Sequence, residues 1–380
     1  MTTALVNGSV LFDGAFRAGL AVLIDAGVIV DVVASDEPRA LAATRQDLAG
    51  RRLVAGFIDI QVNGGGGVLF NDAPHVGAIR RIGAAHRRFG TTGFLPTLIS
   101  DDLAVVARAI EAVRDAIAQD VPGVLGIHIE GPFLSNERRG VHDASKLRSL
   151  DAEAVRLLST PTGGVSMVTL APERTTPAII RALTDAGVIV SAGHTNATFA
   201  ELQPALAAGV RGFTHLFNAM SQLVNREPGA VGAALAHADS WAGLIVDGHH
   251  VHPEVLKIAL RAKRHDRFML VSDAMPSVGA DVKEFRIQGR LITVDGDRVV
   301  DDQGRLAGAH LDMASAVRNT RDTLGVPIEE AVRMASSYPA EFLKLDRDLG
   351  RISAGRRANL VLVDETLAVL RSWIDGCEEV

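Results

Sequence analysis

The chain has 380 residues, 47% of them apolar and 22% charged, with a formal net charge of −6. That apolar fraction excludes a disordered chain, and the mild acidity argues against a non-specific nucleic-acid binder, which needs a dense basic surface. Cys377 is the single cysteine, so disulfide scaffolds and cysteine-based zinc sites drop out, and the 12 histidines become the residues able to carry chemistry.

The first fifty residues read as short strands at 4–12, 21–24 and 28–33, with Asn7-Gly8 and Ala26-Gly27 as turns. They show no basic leader or cleavage pattern, and the apolar stretch 19–33 is broken by Asp25 and Asp31. The expected location is therefore the cytoplasm, with no membrane partner. From Arg52 the rhythm changes to eight apolar runs that each end in polar or glycine residues: 53–60, 92–99, 124–130, 165–170, 188–194, 212–218, 242–247 and 268–273. Helical stretches lie between them, at 75–89, 102–118, 176–186, 196–208 and 253–262; in 102–118 the apolar residues recur at helical spacing. Eight strand–helix units predict a (β/α)8 barrel, of the TIM type, over residues 52–349. A doubly wound sheet is the alternative, but its glycine-rich fingerprint is absent, and Gly64 to Gly67 lacks both that spacing and a P-loop lysine.

After the eighth run, 285–308 alternates in polarity around Asp295-Gly296 and Gln303-Gly304, which predicts a β-hairpin inserted into the barrel. Two more strands follow, at 358–363 and 367–373. Neither chain end can bury a core alone, so residues 1–51 and 350–380 are expected to pair as one small β-sandwich domain. The basic run 261–267 is expected to be the solvated end of a helix.

Catalytic groups of such a barrel sit at the C-terminal ends of its strands. Those ends carry Gln61 and Asn63 on strand one, His128 and Glu130 on strand three, His194 on strand five and His215 on strand six. Strand seven ends in Asp247, His249 and His250, and strand eight in Asp273. A carboxylate with imidazoles suits Zn²⁺ or another first-row divalent ion. Glu130, His194 and His215 are thus the candidate ligands, with one position left for water. A lone histidine is more often a hydrogen-bonded core residue, but two histidines and a glutamate at three strand ends outweigh that reading. Asp273 is placed to exchange a proton with that water and with a leaving amine; its competing role is a helix N-cap. His142, on the loop after strand three, could donate to a substrate carbonyl. Arg226, after strand six, could grip a phosphate or simply sit in a surface ion pair. Of His249 and His250, at least one is expected to be structural. There is no GxSxG elbow, and none of Lys146, Lys257, Lys263, Lys283 or Lys344 ends strand four.

Several segments together resemble the amidohydrolase superfamily and, within it, the amino-sugar-phosphate deacetylases. They are GFIDIQVNG (56–64), HIEGPFLS (128–135), RRGVHD (138–143), SAGHTNAT (191–198), GFTHLFNAM (212–220), NREPGAVG (225–232), VDGHHVHP (246–253), LVSDAMPSVG (270–279) and LAGAHLDM (306–313). The resemblance implies hydrolysis of the N-acetyl group of N-acetylglucosamine 6-phosphate to glucosamine 6-phosphate and acetate. It also implies Glu130, His194 and His215 as metal ligands, Asp273 as acid and base, and His142 on the amide carbonyl. Val141, Asn218, Ala219, Arg226 and His250 would hold the phosphosugar with the backbone of Leu306, Ala307 and Gly308, in a homodimer. One departure matters: the superfamily's HxH on strand one is Gln61-Val-Asn63 here, a remnant of a second metal site. Amides are poor ligands beside imidazole, so one divalent ion per subunit is expected, Zn²⁺ first, with Fe²⁺, Co²⁺ and Mn²⁺ accepting the same set. Other readings stay open: a related enzyme acting on another N-acyl amino sugar, an N-acyl amino acid or a ring amidine, or a silent scaffold.

Overall fold

Eight parallel strands pair in chain order: Phe57–Val62, Thr91–Ile99, Gly126–Glu130, Val165–Leu170, Ile189–Ala192, Val210–Phe213, Trp241–Leu244 and Phe268–Leu270. They come from a computed structural model that describes residues 1–379. Strand one meets strand eight where Val62 bridges Ala274, whose carbonyl accepts the Asn63 and Gly64 N–H groups at 3.0 Å each. The ring closes there, and the (β/α)8 barrel expected from the sequence is observed. The first two strands are buried at every position, as strands covered on both faces should be. Helix Leu103–Ala118 turns Val106, Ile110 and Val113 toward strands two and three, the three-to-four spacing of an amphipathic face.

A β-sandwich flanks the barrel. One sheet runs Val28–Ala34, Leu20–Asp25, Thr3–Val6, Thr44–Asp47. The other runs Cys377–Glu379, Val369–Ile374, Leu360–Val363, Arg52–Ala55, Ser9–Phe12, Ala15–Arg17, and so takes strands from both chain ends. Leu5, Val22 and Ile29 pack against Val10, Leu53, Leu360, Leu362 and Trp373 in its core.

Several expectations are corrected. The run 53–60 is two strands serving two sheets, Arg52–Ala55 in the sandwich and Phe57–Val62 in the barrel. Gly56 separates them where a Cβ would come within 2.0 Å of the Thr92 hydroxyl. The stretch 4–12 is likewise broken, because Asn7 takes φ 57° and sends the chain from one sheet to the other. The insertion is a three-stranded antiparallel sheet, Glu284–Ile287, Arg290–Asp295 and Arg298–Asp301, not a single hairpin. Strands six and eight stop at Phe213 and Leu270, before the predicted ends, because the chain then turns. The basic run is not wholly solvated. Lys263 is buried and donates to the Ala234 carbonyl at 3.0 Å and to that of His237, while Arg267 lies 4.4 Å over the Trp241 ring. Helices Ala152–Leu158, Gly229–Ala236, Met313–Asp322, Ile328–Ala335 and Ser337–Phe342 were not among the stretches read from the sequence.

Candidate functional site

The turns that end the strands hold the site. His194 lies two residues past strand five, His215 two past strand six and Asp273 three past strand eight. Their φ values are 48°, 36° and 51°, a left-handed conformation that is sparsely populated for residues with a Cβ and clusters at functional sites. The strand above each turn thus ends early so that the side chain can swing into the barrel mouth. Glu130 closes strand three. Behind it, Gly131 has φ +90°, and a Cβ there would strike the Ser100 hydroxyl at 2.2 Å, so only glycine lets these two strand ends approach.

Glu130, His194 and His215 are buried, and one ligand-capable atom from each lies within 4.8 Å of the others. Glu130 Oε1 is 3.3 Å from His194 Nε2 and 3.1 Å from His215 Nε2, and the two Nε2 atoms are 3.0 Å apart. His194 Nδ1 donates to the Arg138 carbonyl at 2.9 Å, which leaves its Nε2 as a bare lone pair. A carboxylate oxygen and imidazole lone pairs crowded out of water need a cation among them, so this donor set fits a divalent metal ion. Burial pushes the Glu130 carboxyl up, but the His194 and His215 rings outweigh it and hold it well below the usual range. Burial likewise opposes protonation of His215, and Glu130 outweighs it, so that imidazole is shifted up.

Asp273 faces this cluster. Its Oδ1 accepts from Asn63 Nδ2 at 2.7 Å and from Gln61 Nε2 at 3.1 Å, and Gln61 also donates to Glu130 at 3.1 Å. The strand-one amides therefore act as donors to the two carboxylates. Burial, then the Glu130 charge, raises the Asp273 carboxyl to about 6. That brings it near neutrality, where a group both takes and returns a proton efficiently.

His142 packs on His194 with ring centres 4.4 Å apart. Its Nδ1 accepts from the Ser100 N–H at 3.3 Å and lies 2.7 Å from the Ser100 hydroxyl, so the ring proton sits on Nε2. Burial, then His194, lowers this imidazole to about 3, so at neutral pH it is a neutral donor. His250 is held by Asp247, which accepts its Nδ1–H at 2.6 Å and its backbone N–H at 2.9 Å. His249 turns the other way, 2.9 Å from Asp297 of the insertion. The pair thus divides into one pocket residue and one that fastens the insertion.

Together these groups line a cavity of about 180 Å³ whose wall includes Asn63, Glu130, Val141, His142, His194, His215, Asn218, Ala219, His250, Asp273, Leu306 and Gly308. Gln61 reaches Glu130 and Asp273 from strand one. Two predicted residues are not brought here. Ala307 is buried in a small apolar cluster with Ile287, Ile292 and Val299, and Arg226 is exposed on the loop after strand six. A larger cleft of about 520 Å³ opens at the other end of the barrel. There Arg351 pairs with Glu341 and Arg333 with Glu330, and among the described residues the group able to hold a metal lines the smaller cavity instead, so the smaller cavity is the site.

Sequence reasoning missed Ser100, which sets the His142 tautomer, and the pair Asp59–Ser272. Asp59 is fully buried, and burial raises its carboxyl to about 7. It accepts from the Ser272 hydroxyl and from the backbone N–H groups of Ser272 and Gln61 at 3.3 and 3.2 Å. It thereby ties strand one to the turn that carries Asp273. The motif GFIDIQVNG contained this aspartate, but only the fold shows what it holds.

Residues 52–376 match the amidohydrolase family. The chain is 46% identical over 324 residues to an N-acetylgalactosamine-6-phosphate deacetylase of Shewanella sp. (strain ANA-3), covering 85% of this chain and 82% of that one. It is 33% identical over 379 residues to an N-acetylglucosamine-6-phosphate deacetylase of Haemophilus influenzae, covering 99% of both. Its fold superposes on the crystal structure of N-acetylglucosamine-6-phosphate deacetylase from Pasteurella multocida with a TM-score of 0.96, at 34% identity and 100% coverage of both chains.

Proposed function

Since the chain belongs to the amidohydrolase family, we propose that it hydrolyses the N-acetyl group of N-acetylglucosamine 6-phosphate, releasing acetate and glucosamine 6-phosphate. The observation that carries this reading is the meeting of Glu130, His194 and His215 with Asp273 and His142 around one cavity. Glu130, His194 and His215 hold the metal in this proposal, one divalent ion per subunit, Zn²⁺ before Fe²⁺, Co²⁺ or Mn²⁺. Bound there, the cation supplies Lewis acidity toward a water and an amide carbonyl.

The chain's own residues do the rest. Asp273 has one oxygen fixed by Gln61 and Asn63; the other takes a proton from the attacking water as the new C–O bond forms. The same oxygen then gives that proton to the sugar nitrogen as the C–N bond breaks. His142 directs its Nε2–H at the carbonyl oxygen, where negative charge builds up in the transition state. Val141, Asn218, Ala219, His250 and the backbone of Leu306 and Gly308 form the walls that orient the phosphosugar. Arg226, exposed and outside the cavity of its own chain, belongs to the phosphate site through a homodimer. The reaction takes place in the cytoplasm, consistent with the lack, among the described residues, of any helix long and apolar enough to cross a membrane.

The 46% identity to a galactosamine-type deacetylase supports a second reading, in which the preferred substrate is the C4 epimer. Acetate release from both epimers and from unphosphorylated N-acetylglucosamine tests both. Turnover of a 6-phosphate epimer at least a hundredfold above the free sugar is the expected result. A metal-loaded protein that cleaves neither epimer, yet hydrolyses an N-acyl amino acid or a ring amidine, overturns it.

A further inference from the structure

The insertion's first hairpin joins Glu284–Ile287 to Arg290–Asp295 through two residues only, because Ile287 pairs with Arg290. Those two are Gln288 and Gly289, with φ 49° and 85°. A two-residue turn with both φ values positive is the place for Asn-Gly, Asp-Gly or Gly-Gly. Glutamine gains nothing there from local geometry. Its side chain instead reaches two other segments of the chain: Nε2 donates to the Ser100 carbonyl, and Oε1 accepts from the Asp143 N–H at 3.2 Å. Ser100 is the residue whose N–H and hydroxyl hold His142 Nδ1, and Asp143 directly follows His142. One amide therefore fastens both main-chain segments that orient this imidazole. Beside it Val141 packs into the apolar cluster of Ile99, Met275, Ile287 and Ile292, which seats the insertion on the His142 loop.

We infer that Gln288 is a positioning residue for His142, coupling the seating of the three-stranded insertion to the aim of the Nε2–H at the substrate. This rests on the reading above that His142 acts on the amide carbonyl. The insertion, in this view, is part of the catalytic apparatus although none of its strands reaches the cavity.

The test compares the metal-loaded wild type with Gln288→Asn and Gln288→Ala. Asparagine suits the turn better but is one methylene too short to bridge both partners. Gln288→Asn should therefore melt no lower than wild type while its kcat falls about tenfold, with KM changing less than threefold. A merely structural residue would make activity follow stability instead. In a double-mutant cycle, Gln288→Ala should cost nothing further once His142 is alanine. A kcat within twofold of wild type in both single variants, or full additivity with His142→Ala, overturns the inference. A wild type inert toward both 6-phosphate epimers removes the underlying reading and this inference with it; an active wild type with unaffected variants removes this inference alone.

Discussion

Replacing Asp273 by asparagine probes the proton transfer with little disturbance to the fold. In the wild type, Oδ1 accepts from Asn63 at 2.7 Å and Gln61 at 3.1 Å. An asparagine oriented by the same two donors puts its oxygen where Oδ1 was and its NH₂ where Oδ2 was. Packing and both hydrogen bonds survive, and the ability to accept a proton is lost. A positioned acid or base contributes about 10²–10⁴ in rate, which at about 1.36 kcal/mol per decade corresponds to roughly 3–5 kcal/mol of transition-state stabilisation. Asp273 is not one of the candidate ligands, so the metal should stay bound through Glu130, His194 and His215. The assay is acetate release under single-turnover conditions, alongside metal content and melting temperature. The expected outcome is a rate at least a hundredfold lower with one metal per chain. A fully metallated variant within tenfold of wild type would refute the role given to Asp273 and the geometry it rests on.

Chelation should abolish turnover, and one equivalent of Zn²⁺ should restore it; the melting temperature should fall on chelation, since an ion at about 100 times its dissociation constant stabilises by about 2.7 kcal/mol. Unchanged turnover in the metal-free protein refutes the metal site. Burial raises Asp59 to about 7, so the folded state holds this proton more tightly than the unfolded chain. Its contribution to stability is complete below about pH 4 and is lost as pH rises through 7. The difference in melting temperature between wild type and Asp59→Asn should accordingly shrink from pH 5 to pH 8, and a constant difference contradicts the assignment. Arg226→Ala should raise KM for the 6-phosphate substrate at least tenfold without altering the fold; an unchanged KM removes Arg226 from the phosphate site.

The barrel was legible because its strands are apolar runs interrupted by helices, and the ligand set because Glu130 and His194 end such runs and His215 stands within the polar end of another. What stayed hidden depends on backbone partners far away in the chain. Nothing near Ser100 announces that its N–H meets an imidazole on another loop, nor does Gln288 announce that its amide meets the Ser100 carbonyl and the Asp143 N–H. The split of 53–60 was hidden for a related reason: both halves are equally apolar, and only the clash a Cβ would make at Gly56 separates them. Polarity patterns report which face of an element is buried. They are silent on which of two cores it enters, so Asn7 and Gly56 each carry a change of sheet that the hydrophobic pattern passes over. Arg226 shows the complementary limit, since a loop placed after a strand end by sequence order need not bend toward the mouth.

The sandwich sheet that sets Leu360–Val363 beside Arg52–Ala55 has a consequence for synthesis on the ribosome. Leu5, Val10 and Leu53 share a core with Val22, Ile29 and Leu48, but that core stays half covered until Leu360, Leu362 and Trp373 emerge, after the whole barrel has been made. The barrel lies between these segments in the chain and contains its own strand neighbours, so it can assemble first while the amino-terminal strands wait with apolar side chains uncovered. Chains released before residue 360 would keep that surface open and be prone to aggregate.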